Sequence, residues 1–152
     1  MINGHATPDR TKKFAERHTE IPQQNYKNVH KLTLSNVGIG TYLGNPDVAT
    51  DKLVEDAVKK SVLGGINVID TAINYRAQKA ERSVGNAISQ LIDNDDISRE
   101  EIFVSTKNGY VTNDGDIKED LMQYVMREYG KTGIVKEGDI SPGYHCMTLP
   151  YL

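Results

Sequence analysis

Between Leu32 and Lys107 the chain alternates short β-branched runs with longer amphipathic stretches, in the order strand, helix, strand, helix, strand. Strands separated by single helices cannot pair through tight hairpins. They need crossover connections, which lay the strands parallel in βαβ units. The first run is KLTLSNVGIGTYLG, where Lys31–Leu34 alternates and Val37–Ile39 is apolar and bounded by glycines; together these predict a first strand pair. TDKLVEDAVKKSVLGG predicts a helix. Thr50 can cap it, Asp51 and Glu55 lie in or near a first turn that favours acids, and Gly64–Gly65 ends it. Leu53, Val54, Ala57, Val58 and Val62 form its apolar stripe. Ile66–Ile69 is the second strand. AERSVGNAISQLID is a second amphipathic helix, with Val84, Ala87, Ile88, Leu91 and Ile92 on one face, and EIFVSTK is the third strand.

The flanks read differently. Residues 1–30 are polar, with scattered charges and little periodicity, and predict a mobile arm holding at most a short helix at TKKFAERH. After Lys107, Val111–Gly115 is turn-forming. Asp116 with Glu119 offers a D-x-x-E start for a helix near Ile117–Tyr129 that Gly130 ends. KTGIVKEGDISPGYHCMTLPYL shows no firm element. At 152 residues the chain amounts to about one domain. Charged residues make up 26% and the net charge is −3, without a basic stripe, so nucleic acid is not expected as a partner. No apolar run reaches the roughly 18 residues of a membrane span, and the N-terminus has no secretory apolar core. The single cysteine, Cys146, rules out an internal disulfide and fits a reducing compartment, so a cytoplasmic protein is expected.

Candidate chemistry lies at the strand ends, because parallel α/β proteins bind ligands outside the carboxyl ends of their strands. The stretch NVIDTAINY starts as a buried strand and then places Asp70 at its end, with Tyr75 five residues on; the third strand ends in Lys107. A lysine beside Tyr75 would favour phenolate over phenol, and a phenol held by an Asp–Lys pair is a general acid. A plainer reading has the better claim on spacing alone: Asp70 caps a turn, Tyr75 packs at the rim and Lys107 is solvated. GIGTYLG misses the G-x-G-x-x-G dinucleotide spacing and runs into NPDVAT rather than a helix, so it is read as a strand end needing glycine. His145–Cys146 has no second pair at zinc spacing, and Cys146 has no visible base, so no metal site is expected. NDGD at 113–116 lacks the later glutamate of a calcium loop and reads as a turn.

GINVIDTAINYRAQKAERSVGNAI followed by REEIFVSTK resembles the aldo-keto reductase family. The resemblance rests on D-T-A with a tyrosine five residues after the aspartate, on E-x-x-V-G opening a helix, and on the lysine closing the next strand. GIGTYLG is similar to the family's first barrel strand, and the whole spans about Leu32 to Lys107. The resemblance implies a (β/α)8 TIM barrel and NADPH-dependent reduction of a small-molecule carbonyl. It implies that Tyr75 protonates the developing alkoxide, that Lys107 tunes Tyr75, and that Asp70 pairs with Lys107. Thr41, Tyr42 and Asp70 match positions that approach the cofactor.

The departures shape the expectation. The family's fourth catalytic residue is a histidine ending the next barrel strand, and no strand follows Lys107 convincingly; His145 lies in a turn-rich stretch. The late loops that hold the adenosine 2′-phosphate have no counterpart. An eight-unit barrel needs about 250 residues, at least roughly 200, and about three βα units are visible here. The chain is therefore expected to be an α/β N-terminal portion of a barrel, with an arm over 1–30 and a partial reductase domain over 31–152. It is expected to be truncated and inactive as it stands, and prone to self-association through the unclosed barrel. The alternative is a non-catalytic fragment or partner-binding module.

Overall fold

The computed structural model describes residues 2–152. Helix α1 (Pro8–Arg17) is followed by strands β1 (Tyr26–Val29), β2 (Leu32–Ser35) and β3 (Ile39–Gly40). Then come α2 (Val48–Leu63), β4 (Val68–Asp70), α3 (Lys79–Asp93), β5 (Phe103–Ser105) and α4 (Leu121–Val125), the last continuing as a π-helical turn over Met126–Gly130. Strands β3, β4 and β5 form a parallel sheet in chain order, with Ile39 opposite Ile69 and Ile69 opposite Val104. β3 feeds α2 and β4 feeds α3, and both helices contribute to the core that covers Ile69 of the sheet. The architecture is α/β with two separate sheets, and the parallel one is open. Gly38 allows its close approach: a Cβ there would lie 2.9 Å from Val68 Cγ1.

The described residues 2–30 include a helix packed into the core where a mobile arm is expected. Helix α1 buries Thr11, Phe14 and Ala15, and Phe14 and Tyr26 belong to the main core with Val58, Val62, Ile69, Leu91 and Ile102. Polar composition concealed this because α1 has one narrow apolar face and is otherwise charged. Arg17 reaches across to Glu101 with two hydrogen bonds of 3.0 and 3.1 Å. The expected pairing of Lys31–Leu34 with Val37–Ile39 is also wrong. Leu32–Ser35 pairs antiparallel with Tyr26–Val29, through a turn in which His30 and Lys31 both have positive φ, 49° and 71°. Two such residues give the primed turn that matches strand twist, here without the usual Asn-Gly signal. Buried Asn67 ties this hairpin to the parallel sheet: its Oδ1 accepts from Ser35 N at 2.9 Å and its Nδ2 donates to Thr33 O at 2.9 Å.

Three helix expectations need correction. The cap of α2 is Asp47, whose carboxylate accepts from Thr50 N at 2.7 Å, so Thr50 is capped rather than capping. Only Val58 and Val62 of its stripe are buried, while Leu53 is exposed. The helix after Lys107 starts at Asp120, which accepts from Met122 N and Gln123 N. Asp116 and Glu119 are taken by ion pairs with Lys79, Arg82 and Arg127 instead. Val111, Tyr124, Val125, Val135 and Cys146 build a second core, so the segment after Lys107 packs on itself despite its few regular elements. Among the described residues no helix is long and apolar enough to cross a membrane.

Candidate active site

Asp70 and Lys107 meet because their strands are parallel neighbours. Asp70 is registered with Ser105, and Thr71 N donates to Ser105 O at 2.9 Å, so the chain leaves both strands on the same side. Lys107 Nζ lies 2.8 Å from both Asp70 carboxylate oxygens and donates to the Thr71 carbonyl at 2.9 Å. All three of its protons therefore have acceptors. The ammonium also sits 4.9 Å from the centre of the Tyr75 ring, a cation–π distance. The Asp70 hydrogen bonds hold the Lys107 pKa above its ordinary value; partial desolvation works against them, and neighbouring Tyr75 adds a smaller upward pull.

Both partners are about half-exposed, 49% and 45%, so solvent screens the pair and its net stabilisation is small. The pair lies at a strand-end rim beside the Tyr75 phenol. Where the plainer reading leaves Lys107 solvated, the structure shows it half-exposed and paired with Asp70.

The remaining candidates divide. Tyr42 is 65% exposed and packs edge-on against Tyr75, ring centres 5.0 Å apart. Thr41 is buried, and both its amide and its hydroxyl donate to the Asp70 carbonyl at 3.1 Å. It therefore braces the end of β4, with its hydroxyl proton committed to the Asp70 carbonyl. A groove of about 580 Å³ is lined by Tyr42, Asn74, Arg76, Tyr110, Thr112 and Asn113 among others, without Tyr75 itself. A smaller one of about 330 Å³ touches Lys107, Glu81, Tyr129 and Tyr151. Both carry residues from beyond Lys107, so the segment that builds the second core lines both grooves. His145 is exposed and packs edge-on with Tyr110, ring centres 5.0 Å apart. Among the described residues no group of three His, Cys, Asp or Glu side chains could hold a metal ion.

The sequence model of the Aldo/keto reductase family matches residues 36–136. The chain belongs to the aldo/keto reductase family. The match takes in β3 through α4, and so includes Asp70, Tyr75 and Lys107 as well as part of the second core. Family membership makes the chain oxidoreductase-related.

Sequence reasoning passed over the charged residues between Tyr75 and α3. Arg76 and Lys79 are buried, and both bind Asp51 of α2, at 2.7 and 2.8 Å. Lys79 also binds Asp116 at 2.6 Å, and Arg82 binds Asp114 and Asp116 at 2.6 and 2.8 Å. This network joins α2, α3 and the segment after Lys107. Its only sequence signal was a density of basic residues at 76–82 opposite NDGD, which reads equally as solvated charge.

Proposed function

We propose that this aldo/keto reductase chain carries the proton-donating half of an NADPH-dependent carbonyl reductase, on the N-terminal part of a (β/α)8 barrel. The observation that carries the reading is Lys107 Nζ, 2.8 Å from Asp70 and 4.9 Å from the Tyr75 ring, at the carboxyl ends of adjacent parallel strands. In this reading Tyr75 donates its hydroxyl proton to the carbonyl oxygen of an aldehyde or ketone as that oxygen gains negative charge. The Lys107 ammonium stabilises the phenolate left behind, and Asp70 keeps the ammonium charged and in place. Water then returns the proton to Tyr75.

The cofactor fits in part. The half-exposed Asp70–Lys107 rim and the exposed Tyr42 ring offer an open polar and aromatic platform for a nicotinamide. When bound there, the nicotinamide would supply hydride to the carbonyl carbon. The cations nearby, Arg76, Lys79 and Arg82, are engaged by carboxylates, so the described residues suit the ring end and not the phosphates. Binding energy from that remote end orients the reacting centre, so its loss depresses turnover as well as affinity.

The test is NADPH absorbance loss with an activated aldehyde, on residues 1–152 and on a chain extended by further barrel strands. The short chain is expected to be silent and the extended chain active, with activity lost in Tyr75→Phe. Turnover by the short chain that disappears in Tyr75→Phe would show that the site needs no further strands. An extended chain indifferent to Tyr75→Phe would remove the reading.

A further inference from the structure

We propose that Arg76 is a positioning residue for Tyr75, its ion pair with Asp51 holding the turn that sets where the phenol lies. The proposal rests on reading Tyr75 as the proton donor, although its geometry stands apart from that reading.

Directly after Tyr75, three consecutive non-glycine residues adopt left-handed backbone: Arg76, Ala77 and Gln78, with φ of 51°, 52° and 72°. For L-residues this conformation is disfavoured, and it is normally visited singly, by Gly, Asn or Asp. None of these residues occupies the three positions. Such a run persists only where its surroundings impose it.

The Arg76 side chain is the centre of those surroundings. It is 1% exposed; Nη1 donates to Asp51 Oδ1 at 2.7 Å and Nη2 donates to Ser83 Oγ at 2.8 Å. One guanidinium thus spans the first turns of α2 and α3 across the left-handed segment. Lys79 takes the second oxygen of Asp51 at 2.8 Å, which holds that carboxylate in place. From the other side, Gly115 N donates to the Ala77 carbonyl at 2.9 Å, and Gln78 Nε2 donates to the Asn113 carbonyl at 3.1 Å.

A purely packing role fits less well. Among the described residues, buried Arg76 Nε has no hydrogen-bond partner. Buried polar groups are nearly always satisfied, and apolar residues commonly replace a buried ion pair without loss of stability. What the fork supplies that an apolar residue would not is a fixed direction. Tyr75 lies at the head of the turn, its amide on Ala72 and its carbonyl accepting from Ala80 N at 3.3 Å. Slack in the turn therefore moves the ring relative to Lys107 and Tyr42.

The experiment is NMR on residues 1–152, reading NOEs from the Tyr75 ring to the Lys107 side chain and to the Tyr42 ring. Arg76→Ala removes the clamp and is expected to lose them, with amide exchange at Gln78 and Ala80 about tenfold faster. Arg76→Gly removes the same clamp but tolerates positive φ, so it is expected to keep more NOE intensity than Arg76→Ala. A residue that only filled space would show the reverse order, since glycine leaves the larger void. Wild-type NOEs in Arg76→Ala, or no advantage for Arg76→Gly, overturns the proposal. If both variants fail to fold, Asp51→Asn is read in their place. Faster exchange at Gln78 and Ala80, with Ile88 and Leu91 unchanged, supports the proposal, and unchanged exchange at all four overturns it. No readout involves reductase activity, so a failed activity assay would remove the role of Tyr75 and leave the positioning result intact.

Discussion

Phe14→Ala tests whether the N-terminal segment is part of the core. Phe14 is fully buried, its ring 4.7 Å from the His18 ring and 5.0 Å from the Arg17 guanidinium. A buried aromatic side chain withdraws on the order of 150 Å² from water, which at about 25 cal/mol per Å² is roughly 4 kcal/mol. Phe→Ala substitutions in cores cost about 3–5 kcal/mol, the cavity included. Losing the ring also frees Arg17, which holds the buried carboxylate of Glu101 just before β5. Against a typical stability of about 5–15 kcal/mol, roughly 4 kcal/mol is about a quarter of the total at the upper end and most of it at the lower. The assay is urea unfolding followed by circular dichroism, together with amide exchange at Ile69, a fully buried residue of the central strand. The reasoning requires the midpoint to fall and Ile69 protection to drop with it. A loss below about 1 kcal/mol, or a loss of protection confined to α1 with Ile69 untouched, would show that the segment is an appendage after all.

Two further outcomes follow from burial and from the open sheet. Burial pushes the Tyr151 hydroxyl up to about 12, and Tyr129 is raised for the same first reason. The folded state therefore keeps protons that the unfolded state releases above about 10, so this contribution is intact below that pH and is lost as pH rises to about 12. Tyrosinate absorbance should lag in that window and then appear together with loss of the second core; simple titration with that core intact would refute this. Among the described residues the outer edges of β3 and β5 have no strand partners, and Val37 and Leu43 are exposed. Concentration-dependent self-association is expected in sedimentation, with binding of a hydrophobic dye, and a dye-silent monomer at all concentrations would contradict it.

Local chemistry made part of this protein readable in the sequence. The 3.6-residue period of Val84, Ala87, Ile88 and Leu91, the glycine stop after Leu63 and the β-branched run at Phe103–Ser105 are each set within a few residues. The helix between each pair of strands then forces them parallel, and parallel neighbours bring Asp70 and Lys107 to one rim. That much of the candidate site was therefore implicit in strand order. What the tertiary structure alone decided depends on partners distant in the chain. Phe14 is buried only because Val58, Leu91 and their neighbours surround it, and a helix with one narrow apolar face looks polar until that face is covered. Tyr26–Val29 becomes a strand because Leu32–Ser35 lies beside it, and Asn67 is tolerated in the core because that hairpin supplies its hydrogen bonds. Arg76, Lys79 and Arg82 read as solvated charge because the sequence does not show which carboxylates will face them. Asp51 lies 25 residues from Arg76, and Asp116 lies 37 from Lys79. The left-handed turn after Tyr75 belongs to the same class: no residue in it favours that backbone, so only the contacts of the finished fold can hold it there.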